Sequence, residues 1–248
     1  MKGARALVAV WRLALALTQL LGGWLTITFL FPSWPQQRRD ARVQAWARTT
    51  LRRLGIGLEV QGEPPSHGPV LLVSNHISWL DILVIHAGGH CRFVAKSDLR
   101  RWPVIGTLAA GSGTLFIERE SRRDALRVVH RMADSLRGHE VLAVFPEGTT
   151  SDGRALLPFH ANLLQAAISA DAPVQPIGLS FIDTLARQPS LTPCYIGDDT
   201  LAASVWRTLA GPPITALARY GVPQTAQGRD RRQWAADLRS SVEALRQG

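Results

Sequence analysis

Val70-Leu71-Leu72-Val73-Ser74-Asn75-His76-Ile77-Ser78-Trp79-Leu80-Asp81 opens as a four-residue apolar run and breaks into a polar turn. It ends on an acidic residue at the head of a further apolar stretch. A short apolar run closed by Ser and Asn reads as a strand. Equivalent runs follow at Arg92–Ala95, Thr114–Ile117, Val141–Phe145 and Val174–Ser180. Helical stretches separate them, clearest over Arg123–Arg137, where Leu126, Val129, Met132 and Leu136 form one stripe. Strands alternating with helices predict an α/β fold with a mixed, largely parallel sheet flanked by helices. The tail is a basic amphipathic helix with Trp234, Leu238, Val242 and Leu245 on one face.

The chain has 248 residues, 46% of them apolar and 19% charged, which supplies a full core and excludes disorder as the main state. Lys and Arg outnumber Asp and Glu 28 to 19, a net charge of +9 that calls for an acidic partner: nucleic acid, anionic lipid or a phosphorylated substrate. Two distant cysteines, Cys91 and Cys194, exclude a disulfide framework and a four-cysteine zinc site.

From Leu13 to Phe31 no residue is charged, and as a helix this segment extends roughly 28 Å, near the hydrocarbon thickness of a bilayer. Gly22-Gly23 leaves a second geometry open, a hairpin re-entering one leaflet; a buried core helix is a third. A cleaved leader is the rival. Lys2 and Arg5 give it a basic start, but no small-x-small cleavage site follows. Arg38, Arg39, Arg42, Arg48, Arg52 and Arg53 then alternate with Val43, Trp46, Ala47, Leu51 and Leu54. That pattern suits a helix lying on anionic headgroups and equally a surface helix packed on the domain. The excess of arginine after the apolar segment predicts a cytoplasmic remainder. Residues 1–55 are thus expected to form a membrane anchor with a basic helix, and residues 56–248 the main domain.

Three constellations carry chemistry. His76 and Asp81 are five residues apart, which in one straight helix leaves their side chains roughly 140° apart. They can pair if His76 lies on the turn leaving the strand and Asp81 in the first helical turn. The competing reading is structural: Ser78-x-x-Asp81 is a capping box. In the second, Gly113–Arg119, a strand delivers Glu118 and Arg119 at its end, and a guanidinium fork suits a phosphate. The third, Phe145-Pro146-Glu147-Gly148-Thr149, reads as a turn rich in backbone N–H groups after a strand, suited to an oxyanion. No Gly-x-Ser-x-Gly elbow, phosphate-binding Gly-x4-Gly-Lys loop or Gly-x-Gly-x-x-Gly run is present. His86, His90 and Cys91 resemble a metal cluster, but Gly88-Gly89 interrupts the helix that would align the histidines, so no metal is expected.

In this order the pieces resemble the lysophospholipid acyltransferase family, the 1-acyl-glycerol-3-phosphate acyltransferases and their relatives. Asn75, His76 and Asp81 match its Asn-His-x4-Asp motif. Gly113, Phe116 and Arg119 match its second motif, Phe145 to Thr149 its third, and Val174, Pro176 and Ile177 its fourth. Lys96 and Trp102-Pro103-Val104-Ile105-Gly106 are similar to a family stretch between the first two. Phe159-His160-Ala161-Asn162 departs from the Lys-x-Gly run frequent there, as does Glu118 from the residue frequent before the arginine.

The resemblance implies a membrane-bound acyltransferase of the glycerolipid type at the inner membrane, facing the cytoplasm. It would move a fatty acyl group from acyl-CoA or acyl-ACP to the free hydroxyl of a lysophospholipid, foremost 1-acyl-sn-glycerol-3-phosphate. It also implies roles: His76 as general base, Asp81 as its orienting partner, and Asn75, Lys96, Arg119, Glu147, Gly148 and Thr149 as the substrate-binding set. No cofactor beyond the thioester co-substrate is expected. Two alternatives stand beside this: another acceptor, such as lyso-ornithine lipid or lysophosphatidylcholine, or a non-catalytic basic module binding membrane or nucleic acid. Nucleic acid is not expected as a partner, because most tryptophans sit at core-like helical spacing.

Overall fold

The computed structural model describes residues 2–117 and 122–248. Seven strands form one sheet. They are β1 (Gly57–Gln61), β2 (Val70–Ser74), β3 (Arg92–Lys96), β4 (Leu115–Ile117), β5 (Val141–Val144), β6 (Val174–Asp183) and β7 (Ile214–Tyr220), in the order β1-β7-β6-β2-β5-β3-β4. β6 and β7 pair antiparallel and every other pair is parallel, so the sheet is the mixed, largely parallel one expected. β2 is buried along its whole length, as a central parallel strand covered on both faces must be. β1 and β7 are additions to the sequence reading. β1 is short and half exposed and pairs with β7 more than 150 residues away, a partnership local pattern does not announce.

The helices packed on and around the sheet are α1 (Lys2–Leu25), α2 (Gln36–Leu54), α3 (Leu80–Gly88), α4 (Ile105–Gly111), α5 (Arg122–Arg137), α6 (Leu164–Ala170), α7 (Leu201–Ala210) and α8 (Arg231–Gln247). Strand alternation sorts the core into two clusters. Val70, Leu72 and Ala143 face α1, α2, α3 and α7, whereas Leu71, Val73, Leu142 and Val144 face α5, α6 and α8. α8 closes the second face with Trp234, Leu238 and Val242, all fully buried.

At the N-terminus α1 runs unbroken through Gly22-Gly23, continues as a π-helical turn (Thr26–Leu30) and a 3₁₀ turn (Phe31–Ser33), and reverses at Trp34-Pro35 into α2. The re-entrant break is therefore not formed. Gly23 serves close packing instead: a Cβ there would lie 2.7 Å from Trp46 Nε1, which donates to the Gln19 carbonyl at 3.0 Å. α2 lies antiparallel to α1 and buries Val43, Ala47, Thr50, Leu51 and Leu54 against α1 and α3. Of its two sequence readings, the helix packed on the domain is the one observed, because that apolar face is already occupied. α1 is different. Leu7, Val10, Trp11, Leu17, Leu21, Leu25 and Phe29 form an outward ridge, with Leu7 74% and Phe29 66% exposed. The run Gly3–Ser33 is long and apolar enough to cross a membrane.

Candidate active site

In a parallel sheet the carboxyl ends of the strands share one edge, and the loops leaving them converge there. β2 delivers Asn75 and His76, β5 delivers Phe145 to Thr149, and β3 delivers Lys96.

His76 and Asp81 meet in the way the turn-then-helix geometry allows, with His76 Nδ1 2.8 Å from Asp81 Oδ2. The same oxygen accepts the backbone N–H groups of Ile77 at 2.6 Å and Ser78 at 2.8 Å. Asp81 thus performs the back-bond of a capping box and holds the histidine as well, while the Ser78 hydroxyl accepts from Leu80 N–H at 3.3 Å. Since Oδ2 already accepts two N–H donors, it acts as a carboxylate oxygen, and Nδ1 carries the imidazole proton toward it. That leaves the Nε2 lone pair free, and among the described residues Nε2 has no hydrogen-bond partner. Asp81 is fully buried, and its Oδ1 has no partner among the described residues. The His76 ring stacks on Phe145 at 3.9 Å between centroids and 8° between planes, with Phe93 stacked behind Phe145 at 5.6 Å.

The main chain around His76 is held on every side. His76 N–H donates to Glu147 Oε1 at 2.7 Å, and its carbonyl accepts from Ser151 N–H at 2.9 Å. The Ile77 carbonyl accepts from Tyr195 N–H at 3.0 Å. Asn75 is buried, and its amide exchanges two hydrogen bonds with the Leu179 main chain, at 2.9 and 2.7 Å, tying the loop to β6.

Glu147 sits in the β-turn closed by Gly148 N–H to the Phe145 carbonyl at 3.1 Å. It is buried, and its second oxygen accepts from Leu157 N–H at 2.8 Å. Burial pushes its carboxyl above the ordinary range, while the N–H donors of Leu157 and His76 pull it back. The sequence reading grouped Asn75 and Glu147 with the substrate-binding residues; in the structure their polar atoms are engaged with backbone. Gly148 lies in the left-handed region at φ 74°, and a Cβ there would also approach His160 at 3.0 Å. Gly148 and Thr149 are exposed at the rim. Lys96 is exposed at the end of β3, in register with Ile117. Arg119 and Glu118 lie outside the described residues.

Ser151, Leu157, Leu179 and Tyr195 hold the site through main-chain groups, which any residue type supplies. No sequence signal could have marked them. Burial raises both thiols, Cys194 to about 11, so neither is a ready thiolate nucleophile. His86 is buried and held neutral, its ionisation pushed down to about 3 by desolvation, and His90 pairs with Asp40 at 3.1 Å. Among the described residues no three His, Cys, Asp or Glu side chains converge with metal-binding geometry.

Comparison with known proteins agrees with this architecture. The family model described as Acyltransferase matches residues 57–180, from β1 into β6. A 1-acyl-sn-glycerol-3-phosphate acyltransferase of Neisseria meningitidis is 34% identical over 213 residues, covering 85% of this chain and 82% of the relative. A lyso-ornithine lipid O-acyltransferase of Pseudomonas aeruginosa is 33% identical over 223 residues, covering 90% and 85%. The crystal structure of a 1-acyl-sn-glycerophosphate acyltransferase from Thermotoga maritima shares the fold, with a TM-score of 0.69 at 19% identity over 99% of this chain and 98% of that one. With its Asn-His-x4-Asp loop folded as a His–Asp pair at the sheet edge, the chain belongs to the acyltransferase family and is an O-acyltransferase.

Proposed function

We propose that the protein acylates the free hydroxyl of a lysophospholipid, foremost 1-acyl-sn-glycerol-3-phosphate, with an acyl thioester of CoA or acyl carrier protein as donor. The observation that carries this is the His76–Asp81 pair. With Nδ1 committed to Asp81, Nε2 is a neutral acceptor only partly shielded from solvent. The acceptor hydroxyl gives its proton to Nε2 as its oxygen attacks the thioester carbonyl. Asp81 stabilises the imidazolium that results. When the carbonyl re-forms, the C–S bond breaks and the departing sulfur takes the proton. The product is an ester and a free thiol, with no covalent enzyme intermediate. Asn75 and Glu147 position the His76 loop. Arg119 and Lys96 hold the acceptor's phosphate, with the Gly148-Thr149 rim beside them.

Residues 1–55 serve as the membrane-attachment unit and residues 56–248 as the catalytic unit. The ridge on α1 is the attachment surface. α1 lies along α2, whose Arg53 reaches Thr18 at 3.5 Å. Carrying α1 across a bilayer would drag the arginines of α2 into hydrocarbon, at a cost of about 2.5–3.5 kcal/mol each even on the lenient insertion scale. A helix lying in one leaflet avoids this. The excess of arginine after the apolar segment supports a position on the cytoplasmic face of the inner membrane.

Lyso-ornithine lipid is the second acceptor, favoured by a relative of that activity that covers 90% of the chain. The test is thiol release and labelled-acyl transfer by purified membranes given lysophosphatidate, lyso-ornithine lipid or lysophosphatidylcholine. Lysophosphatidate is expected to be acylated fastest. A reversed ranking transfers the assignment to the amino-acid lipid. Transfer to none of the three overturns the reading.

A further inference from the structure

Between β6 and α7 the chain runs from Thr184 to Thr200 with almost no regular structure, yet part of this loop lies directly behind the His76 loop. Tyr195 N–H donates to the Ile77 carbonyl at 3.0 Å, and the Tyr195 carbonyl accepts from the Thr150 hydroxyl. Cys194 Sγ lies 3.3 Å from the Asp152 carbonyl. Residues 194–195 therefore touch both stretches that flank His76, since Ser151, between Thr150 and Asp152, donates to the His76 carbonyl. Few bonds within the loop support these contacts: Cys194 N–H to the Leu191 carbonyl, Asp199 N–H to the Ile196 carbonyl, and Thr192 to the Ser190 hydroxyl at 3.2 and 3.4 Å.

Main-chain bonds tie residues 184–190 to β6 and to Pro213, and one side chain of α7 grips residues 192–199. Arg207 of α7 donates from Nε to the Thr192 carbonyl at 3.1 Å and from Nη2 to the Cys194 carbonyl. Its two Nη atoms also grip the Asp199 carboxylate, at 3.2 and 2.8 Å. Three acceptors at separate points of one loop meet a single planar fork, which an ammonium could not match. The base of the fork is firm, because Ser204, Thr208 and Leu209 bury α7 in the domain and α7 also packs against α1.

We infer that Arg207 is a positioning residue for the reaction: it sets the 192–195 segment, and through Tyr195 and Thr150 that segment sets the His76 loop. This rests on His76 being the general base, so His76→Ala is measured in parallel. Retained turnover in that variant defeats the base assignment, whatever Arg207 does.

The experiment compares kcat and both KM values for Arg207→Ala and Arg207→Lys, with thermal melts, well below the melting temperature. A small misplacement of a catalytic group costs up to about 100-fold, so kcat of Arg207→Ala is expected to fall about 10- to 100-fold while both KM values stay within about twofold. Arg207→Lys should recover only part of the loss. A purely structural role would lower the melting temperature and leave kcat alone. Thr150→Val breaks the same relay, so its effect should not add to that of Arg207→Ala. Wild-type kcat in folded Arg207→Ala overturns the inference, as do additive effects or a rise confined to one KM. Should Arg207→Ala fail to fold, Arg207→Lys and Asp199→Asn carry the same test, and unchanged kcat in both overturns it.

Discussion

The His76 loop and the α1 ridge are opposites in how they are held. In residues 75–78 nearly every main-chain group has a fixed protein partner, and Asp81 Oδ2 alone collects three donors. Along α1 and the π-helical turn after it, large apolar side chains from Leu7 to Phe29 have no partner on their outer side among the described residues. The first region is a preorganised polar device whose geometry is settled before substrate arrives. The second is a surface whose partner lies outside the chain. The contrast teaches that chemistry and attachment are separable here: damage to one should leave the other measurable.

The largest separation is expected at His76. His76→Ala should reduce turnover about 10²- to 10⁴-fold while vesicle binding stays at wild type, measured by acyl transfer and flotation on the same preparation. Near-normal turnover would end the base assignment. Arg119 sharpens the comparison within the catalytic half. Loss of a charge-assisted hydrogen bond predicts about a 10- to 150-fold drop in kcat/KM for the acceptor in Arg119→Ala, with donor KM unchanged. A shift in donor KM alone would exchange the two substrates.

Glu147→Gln tests how far the loop depends on its buried carboxylate. An amide offers one acceptor where two N–H groups need one each, so a loss of about 1–3 kcal/mol of stability and a fall in kcat are expected. Denaturant titration beside steady-state kinetics checks both, and unchanged values would show that Glu147 does not hold His76. The smallest effect belongs to α1. Leu21→Ala removes about 1.4 kcal/mol or less of apolar contact, predicting up to about a tenfold weaker partition into anionic vesicles with kcat on a soluble short-chain acceptor unaltered. Equal partition would move the attachment surface elsewhere.

Much of the His76 loop was legible because its residue types are informative. Asn75, His76, Asp81 and the Phe145–Thr149 turn stand in a fixed order on strands that announce themselves as apolar runs. The engagement of Glu147 with backbone was not legible. A carboxylate in a turn looks available to substrate until its two backbone partners are seen, one of them ten residues downstream. The ambiguity of α2 had the same origin: a helix whose apolar stripe faces a domain and one whose stripe faces lipid share one pattern. The uncharged run from Leu13 to Phe31 was the distinguishing signal, since no packed helix of this domain needs it. Gly22-Gly23 misled because glycine marks both breaks and close contacts, and the indole of Trp46 decides for the second.

The pairing of β1 with β7 has a consequence for the birth of the molecule. Gln61 must wait for Arg219, its neighbour in the finished sheet, and the two are 158 residues apart. At about 5–20 residues per second, the ribosome takes roughly 8–30 s to cover that interval. For most of it α1 and α2 are already made, while α7, which covers part of the inner side of α1, is still to come. If the α1 ridge is the attachment surface proposed above, the bilayer is the apolar surface it would meet in those seconds. Order of synthesis thus favours an address chosen before the catalytic edge of the sheet is complete, with the enzyme maturing where its lipid substrates reside.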